Sequence, residues 1–439
     1  MATSQQKSFH IVIVGAGIGG LAAAVALKAP GRRITLLEAS RLNREVGANI
    51  SLQPNAVKIA KRFLGLDSYL FGPDSIGRGV PDKAFLLYGT DDKLHMKIPL
   101  ATDQYGEDRV CFHRVDLHSA LKQAAVDGGA EIRTASRVRS VDCQTGEVTL
   151  ESGEAVQADL VIGADGIRSV VRSAVLGRDE DAQSTGLSAY RTLIPTAELQ
   201  HITGLPEGVR LGDDQTLMVV GRDCRMVMGP SRSSTVLGVV GLVPDSHAPQ
   251  QDDGSWNTSA SIEGFTKSFA DFPAWVRAII AKSVDLSIWQ LRDTEPLERW
   301  HRQRATLIGD AAHAMLPTQG QGASQSFEDA EALQHLLRGV DASTTAEELD
   351  DRLAQLFAAR HERASLIQAY SRQQARPGAQ AGKVTLNPRE FMDYNCQYDG
   401  VESWLRKKAE ERRLHEDKTL LDTEGEQAAS DKAAAAVLA

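Results

Sequence analysis

Cysteine is scarce: Cys111, Cys143, Cys224 and Cys396 are the only four in 439 residues, and no two form a C-x-x-C pair. That excludes a disulfide framework and a zinc ribbon, and it suits a reducing compartment. No H-E-x-x-H occurs, and the eleven histidines form no ligand-spaced cluster, so no metal is expected. No apolar run reaches the roughly eighteen residues that a membrane span needs. The opening stretch, MATSQQKSFH, is too polar for a secretory signal. Basic residues are outnumbered, 49 Lys and Arg against 58 Asp and Glu, and the net charge of −9 argues against nucleic acid or an anionic membrane as main partner. No internal repeat is visible. A cytoplasmic protein that handles a small molecule is expected; a monomer or a homodimer is expected too, though none of these absences bears on the oligomeric state.

What is present is globular: 42% of residues are hydrophobic and 24% charged. The length predicts two domains. The first forty residues organise the chain. Ile11 to Val14 is wholly apolar, as in a strand buried on both faces of a parallel sheet. Gly15, Gly17 and Gly20 follow at G-x-G-x-x-G spacing, then a helical Ala/Leu stretch and a second strand, Ile34 to Leu37, ending on Glu38. Gly15 allows a tight turn, Gly17 lets a pyrophosphate reach the backbone, and Gly20 lets the helix pack close to the sheet. The helix N-terminus then faces the phosphates, and Glu38 can accept from a ribose diol. The motif by itself does not separate FAD from NAD.

Further along, Ile50 and Leu52 alternate as in a short strand and Pro54 reads as a helix start. Arg114 stands before a helix predicted over Asp116 to Ala125, where a guanidinium could reach a phosphate or ribose. A second buried strand, Leu160 to Ile162, runs into GADGIRSVVR, where Asp165 can hold a ligand hydroxyl and Gly166 allows close backbone approach. From about 185 to 290, short alternating strands predict an antiparallel sheet with one face covered, carrying Tyr190 and Arg191. A third buried strand, Ala305 to Ile308, leads to Asp310 and then to a turn at Pro317, Gly320 and Gly322. A helix starting near Ala323 or Ser324 follows, its dipole aimed at that turn. Residues 346 to 376 read as a long charged helix. The stretch after it to Trp404 carries no legible chemistry, and the tail from about Arg406 reads as a surface helix with a frayed end.

Three ordered motifs, GAGIGG with Glu38, GADGIRSVVR and LIGDAAHAMLPTQGQG, carry a resemblance to the group A flavoprotein monooxygenases, the single-component hydroxylases like salicylate hydroxylase. The resemblance covers about residues 8 to 375. It implies an α/β plus α+β fold: a Rossmann-like FAD-binding domain (1–75, 101–182 and 290–376) with an inserted antiparallel-sheet substrate domain (76–100 and 183–289). A helical, partly flexible C-terminal extension (377–439) completes it. It implies FAD and NAD(P)H as cofactors, molecular oxygen as co-substrate, and insertion of one oxygen atom through a C4a-hydroperoxyflavin. Hydroxylation is expected, with epoxidation or Baeyer–Villiger insertion as alternatives on the same scaffold, and an oxidase or a non-catalytic FAD-fold binding protein behind them. No W-x-W-x-x-I-P segment of a flavin halogenase occurs.

Residue by residue, the resemblance places Gly15, Gly17, Gly20 and Glu38 on the ADP half of FAD. Arg114, Asp165 and Gly166 would also contact cofactor, and Asp310 the ribityl chain. Pro317, Gly320, Gly322 and Ala323 would line the isoalloxazine. Arg191 is the expected catalytic residue, stabilising a phenolate or enolate or polarising the hydroperoxide, and a structural role is favoured for His313. Two departures stand out. Asn49 occupies a cofactor-side position where the family commonly has glycine, and Gly229 stands before Pro230 where a tyrosine is common. With Tyr190, Met226 and Met228, Gly229 is expected to line a roomy substrate pocket for a larger, partly apolar aromatic or otherwise electron-rich secondary metabolite.

Overall fold

The computed structural model describes residues 8–41, 48–72, 74–100, 102–248, 257–375, 384–411 and 413. The strand Phe9–Val14 has all six residues buried. It lies at the middle of a six-stranded sheet, between Leu160–Gly163 and Arg32–Leu37. Ala305–Leu307 and Glu131–Arg133 extend the sheet outward, all pairs parallel, and the short strand His301–Arg302 closes one edge antiparallel. Parallel strands of this kind need helical crossovers on both faces, which is why the strands are apolar throughout. Their carboxyl ends bring Gly15, Glu38, Asp165 and Asp310 to one edge of the sheet, where ligands bind in open α/β sheets.

A second sheet has eight strands. Their order is Asn257–Ser259, Ser287–Asp293, Gln183–Pro195, Val236–Pro244, Arg225–Ser231, Gln215–Val220, Ala84–Gly89 and Leu94–Pro99. All neighbours are antiparallel except Gln215–Val220 with Ala84–Gly89. Helices Ile262–Ser268 and Ala274–Ile280 cover one face, burying Phe265, Phe269, Trp275 and Val276 against it. The other face looks toward the first sheet. The register shows which residues share that open face: Arg191 pairs with Val240, Val240 with Val227, and Val227 with Met218. All four are partly accessible, while their chain neighbours are buried.

Two smaller sheets complete the strand content: a meander over Val138–Asp142, Glu147–Leu150 and Ala155–Gln157, and a bridge of Asn49–Leu52, Arg109–His113 and Val80–Asp82. Residues 131–142 divide into two strands in different sheets, Glu131–Arg133 and Val138–Asp142. Ala135, in the left-handed region at φ +52°, turns the chain between them. The helix expected from Asp116 begins at Arg114, making that arginine its first residue. The helix expected near Ala323 runs Gly322–Leu336, and the long helix is Ala346–Ala375. The C-terminal part, unreadable from sequence, forms the helix Pro388–Cys396 behind a capping box at Asn387 and Glu390. A further helical stretch covers 401–411, and the rest of the tail, bar residue 413, lies outside the described residues. No described helix is long and apolar enough to cross a membrane.

Polar bolts fix the eight-stranded sheet to the first layer. Arg232 grips Asp116 with two bonds of 2.9 Å, and Arg78 adds a third at 2.7 Å. Asp82, fully buried, takes Arg109 at 2.7 Å and Thr216 at 2.6 Å. Asn49 seats on bare backbone between these bolts. A Cβ on Gly238 would lie 2.2 Å from Asn49 Cβ, and one on Gly229 would lie 3.0 Å from Asn49 Nδ2. Gly238→Ala should therefore push the layers apart and cost about 1–3 kcal/mol, as overpacking does. Adding Asn49→Gly should recover most of that loss in a denaturant midpoint. Independent, additive losses would show that the two positions do not touch.

Candidate active site

The glycine loop performs three separable tasks. Gly15 adopts φ +99°, and a Cβ there would sit 2.4 Å from the Ala164 carbonyl oxygen. A Cβ on Gly20 would sit 2.0 Å from the Gly15 carbonyl oxygen, so the helix Ile18–Ala26 closes onto the loop itself. Gly17 is different: its Cβ would meet nothing within 4 Å. That clear space lies at the N-terminus of the helix, which has no side-chain cap and no acidic residue in its first turn. Free N–H groups beside an open space suit a pyrophosphate. Glu38 leans back over the loop and accepts from Ala16 N at 2.9 Å and Ser40 N at 2.7 Å. Each oxygen keeps a lone pair for a ribose hydroxyl. His118, not anticipated from sequence, ties the Ala16 carbonyl at 2.7 Å.

Asp310 follows Gly309 on the third strand end and is exposed to the cleft, although protein surrounds it densely. Burial raises its carboxyl above the ordinary range, against the pull of His313, Arg114 and Arg172. An accessible carboxylate inside dense protein marks a cleft shaped for a polyol or another large polar ligand. Pro317, Gly320, Gly322 and Ala323 are accessible, and Ser51 and Gln53 lie against Gly320. The helix Gly322–Leu336 opens there with no acidic first turn, leaving its N–H groups and positive dipole end to the cleft.

Arg191 stands on the open face of the eight-stranded sheet, its guanidinium 5.0 Å from the centre of the Trp289 ring. Burial first and the charge of Arg114 second push its pKa down to about 10. Among the described residues no carboxylate lies within ion-pair distance of it. Arg191, Arg114 and Asp310 thus flank one cleft.

Other expected site residues fall elsewhere. Asp165 does not present a free carboxylate: Ser169 Oγ donates to it at 2.5 Å, and Val170 N and Val171 N at 2.8 and 3.2 Å. It organises the start of the helix Val170–Leu176, leaving Gly166, which has no Cβ obstruction, as the open part of that turn. Tyr190, Met226 and Met228 do not line the substrate cleft. Strand alternation sends them to the helix-covered face, where Tyr190 stacks on Phe265 at 4.5 Å and both methionines are fully buried. Gly229 does face the cleft side but opens no pocket, because Asn49 and Thr216 Oγ1 (3.2 Å from its virtual Cβ) occupy the space. The residues that do share the open face with Arg191 are Met218, Val227, Val240, Leu193 and Trp289.

Beneath the cleft lies a cluster that sequence reading missed. Glu328, Asp329, Arg360, Arg363 and His313 are all fully buried. Arg360 donates to Glu328 at 2.5 Å and Asp329 at 3.0 Å, and Arg363 donates to Glu328 at 2.7 and 2.8 Å. Burial opposes ionisation of Glu328, but Arg363 and Arg360 outweigh it and hold the carboxyl low. Against the same penalty, His313 and Arg360 hold Asp329 down to about 2. His313 contacts Asp329 at 2.7 Å, which fits the structural role expected for it. The available signal was a spacing: an acid pair inside one helix and arginines three apart on the next.

A strand–glycine–helix turn suited to phosphate, an acid at the end of the next strand and an accessible aspartate across a cleft from a cation fit the class of dinucleotide-binding proteins. The comparisons name its family. Residues 8–370 match the family described as FAD binding domain, and the chain belongs to it. Hispidin-3-hydroxylase of Neonothopanus nambi is 31% identical over 90% of this chain and 95% of its own. 3-hydroxybenzoate 6-hydroxylase 1 of Aquipseudomonas alcaligenes is 33% identical over 83% of this chain and 88% of its own. A salicylate hydroxylase substrate complex aligns with TM-score 0.74 and 26% identity, covering 92% of this chain and 98% of that one. This chain is an FAD-dependent monooxygenase, and NAD(P)H is the usual reductant of its family.

The glycine geometry separates cofactor contact from folding. Gly17→Ala should leave the apoprotein's denaturation midpoint unchanged and weaken FAD binding tenfold or more. Gly20→Ala should lower the apoprotein's stability by about 1–3 kcal/mol. Isothermal titration of FAD and denaturation of the apoproteins check both. Equal behaviour of the two variants would remove the assignment of Gly17 to the pyrophosphate.

Proposed function

We propose that this enzyme inserts one oxygen atom into an aromatic or similarly electron-rich metabolite held against the open face of the eight-stranded sheet. The names of the relatives support an aromatic substrate. The observation that carries the reading is Arg191: a guanidinium without a carboxylate partner among the described residues, on the cleft side of the sheet, near Arg114 and the cofactor cleft. We assign residues 1–75, 101–182 and 290–376 to holding FAD, and 76–100 with 183–289 to holding substrate. Four buried, unpaired thiols suit a reducing, cytoplasmic setting.

Gly15, Gly17, Gly20 and Glu38 would hold the adenosine diphosphate half, Asp310 and Arg114 the chain joining it to the ring, and the turn 317–323 the ring. Asn49 and Gly166 stand beside that path. Bound FAD supplies the electron transfer from NAD(P)H and the activation of oxygen. The protein supplies position, charge and dryness. Met218, Val227, Val240 and Trp289 give the substrate an apolar bed and keep water from its reacting face. Arg191 stabilises the negative charge that a phenol or enol develops as its carbon becomes nucleophilic. Even at about 10 its pKa keeps it a cation at neutral pH, so it acts by charge and hydrogen bonding.

Arg191→Ala should retain stoichiometric FAD yet lose product by a hundredfold or more, with NAD(P)H oxidation diverted to peroxide. Arg191→Lys should recover part of the coupling. The check is product yield per NAD(P)H over a panel of phenols, with the flavin spectrum as control. Unchanged yield in Arg191→Ala would refute the role.

A further inference from the structure

The assignments above use Asp310 and the turn 317–323 but give no task to the charges buried beneath them. Glu328 and Asp329 lie six and seven residues into the helix Gly322–Leu336, roughly 9 to 11 Å along its axis from the end that opens on the cleft. Arg360 and Arg363 reach them from the long helix Ala346–Ala375. All four side chains are fully buried, so salt does not screen them. Two carboxylates meet two guanidinium groups, and His313 sits on Asp329 at 2.7 Å.

The cluster is joined to both segments that line the cleft. Glu328 Oε1 accepts from Asn55 Nδ2 at 2.6 Å, and Asn55 also donates to Gln321 Oε1, inside the turn, at 3.3 Å. Asp329 Oδ2 accepts from Gly309 N at 2.9 Å, one residue before Asp310. Arg363 is in turn held by the carbonyls of Tyr394 and Asn395 at 3.0 Å each, and lies 4.4 Å from the Tyr398 ring centre and 4.9 Å from that of Tyr394. A helix N-terminus carries about half a positive charge. Two uncompensated carboxylates within its first turns would reverse that field.

We propose that Arg360 and Arg363 keep the amino end of the helix Gly322–Leu336 electropositive and so set how well the flavin ring beside it accepts negative charge. They are positioning residues that tune FAD through the helix, without touching cofactor or substrate. The inference rests on the ring lying at the turn 317–323. Loss of FAD binding on altering that turn would test the placement separately.

Sulfite tests it without turnover, because it adds reversibly to oxidised flavin, bleaches the visible band and leaves negative charge on the ring. Its dissociation constant on the holoenzyme reads the local potential, and the flavin midpoint potential gives a second reading. Arg363→Met should weaken sulfite binding about tenfold and lower the midpoint potential. Glu328→Gln should tighten it about tenfold and raise the potential, and the double variant should return close to wild type. Tenfold is about 1.4 kcal/mol, the effect of a unit charge at roughly 12 Å in an effective dielectric of ~20.

The opposite signs separate tuning from simple damage, since both single variants break the same buried ion pair. Shifts of the same sign, or none, in variants that retain FAD would overturn the proposal. Should Arg363→Met not retain FAD, Glu328→Gln and the double variant decide it alone. A double variant as tight for sulfite as Glu328→Gln would be the contrary result.

Discussion

The structure depends on a buried charge cluster beneath its cofactor cleft. Taking Glu328, Asp329, Arg360 and Arg363 out of water carries a penalty of several kcal/mol per ion unless each is paired and hydrogen-bonded. Each is: every one of these side chains has at least two polar partners at bonding distance. A cluster with that penalty tolerates few alternative arrangements, because moving any member strands another. It therefore fixes the helix Gly322–Leu336, the Gly309–His313 segment and the helix Pro388–Cys396 relative to one another. The cleft inherits its shape from that constraint. The C-terminal segment, which looks like an appendage in sequence, is the outer wall of the cluster through Tyr394, Tyr398 and Trp404 around Arg363.

A second constraint is the joint between the two main sheets. It is built from polar bolts and backbone contact, together with an apolar cluster of Leu316 against Ala189 and Leu291. Asp116 with Arg232, and Asp82 with Arg109 and Thr216, set the distance between layers. Asn49 on Gly229 and Gly238 sets how closely backbone meets backbone. The cleft lies beside this joint, so its two walls are geometrically coupled. Arg191 is held by strand pairing on one side of the joint, and Asp310 by a strand end on the other.

Much of this was legible in the chain. The apolar strands ending at Gly15, Asp165 and Asp310 carry strong local signals, because a strand buried on both faces admits few polar residues and its carboxyl end must turn. What failed was reading direction. Tyr190 and Arg191 are adjacent, and in a strand adjacency means opposite faces, so grouping them with Met226 and Met228 in one pocket mixed two faces of one sheet. Gly229 was read as space when another segment, led by Asn49, fills it; a missing side chain says nothing of what stands opposite. Asp165 looked like a ligand for the cofactor, yet a carboxylate at a strand–helix turn also satisfies the N–H groups of its own helix. The ion cluster was invisible because its members come from three separate segments, and long-range pairing leaves little trace in local pattern.

The account holds that this fold brings a flavin and an electron-rich substrate together so that one atom of molecular oxygen enters the product. The most direct measurement is turnover of the purified holoenzyme with NAD(P)H under ¹⁸O-labelled oxygen gas, on a substrate chosen by its stimulation of NAD(P)H oxidation. Product carrying one heavy oxygen, formed in step with NAD(P)H consumed, is the predicted result. Product whose added oxygen comes from water, or substrate oxidised with no oxygen gained, would contradict it.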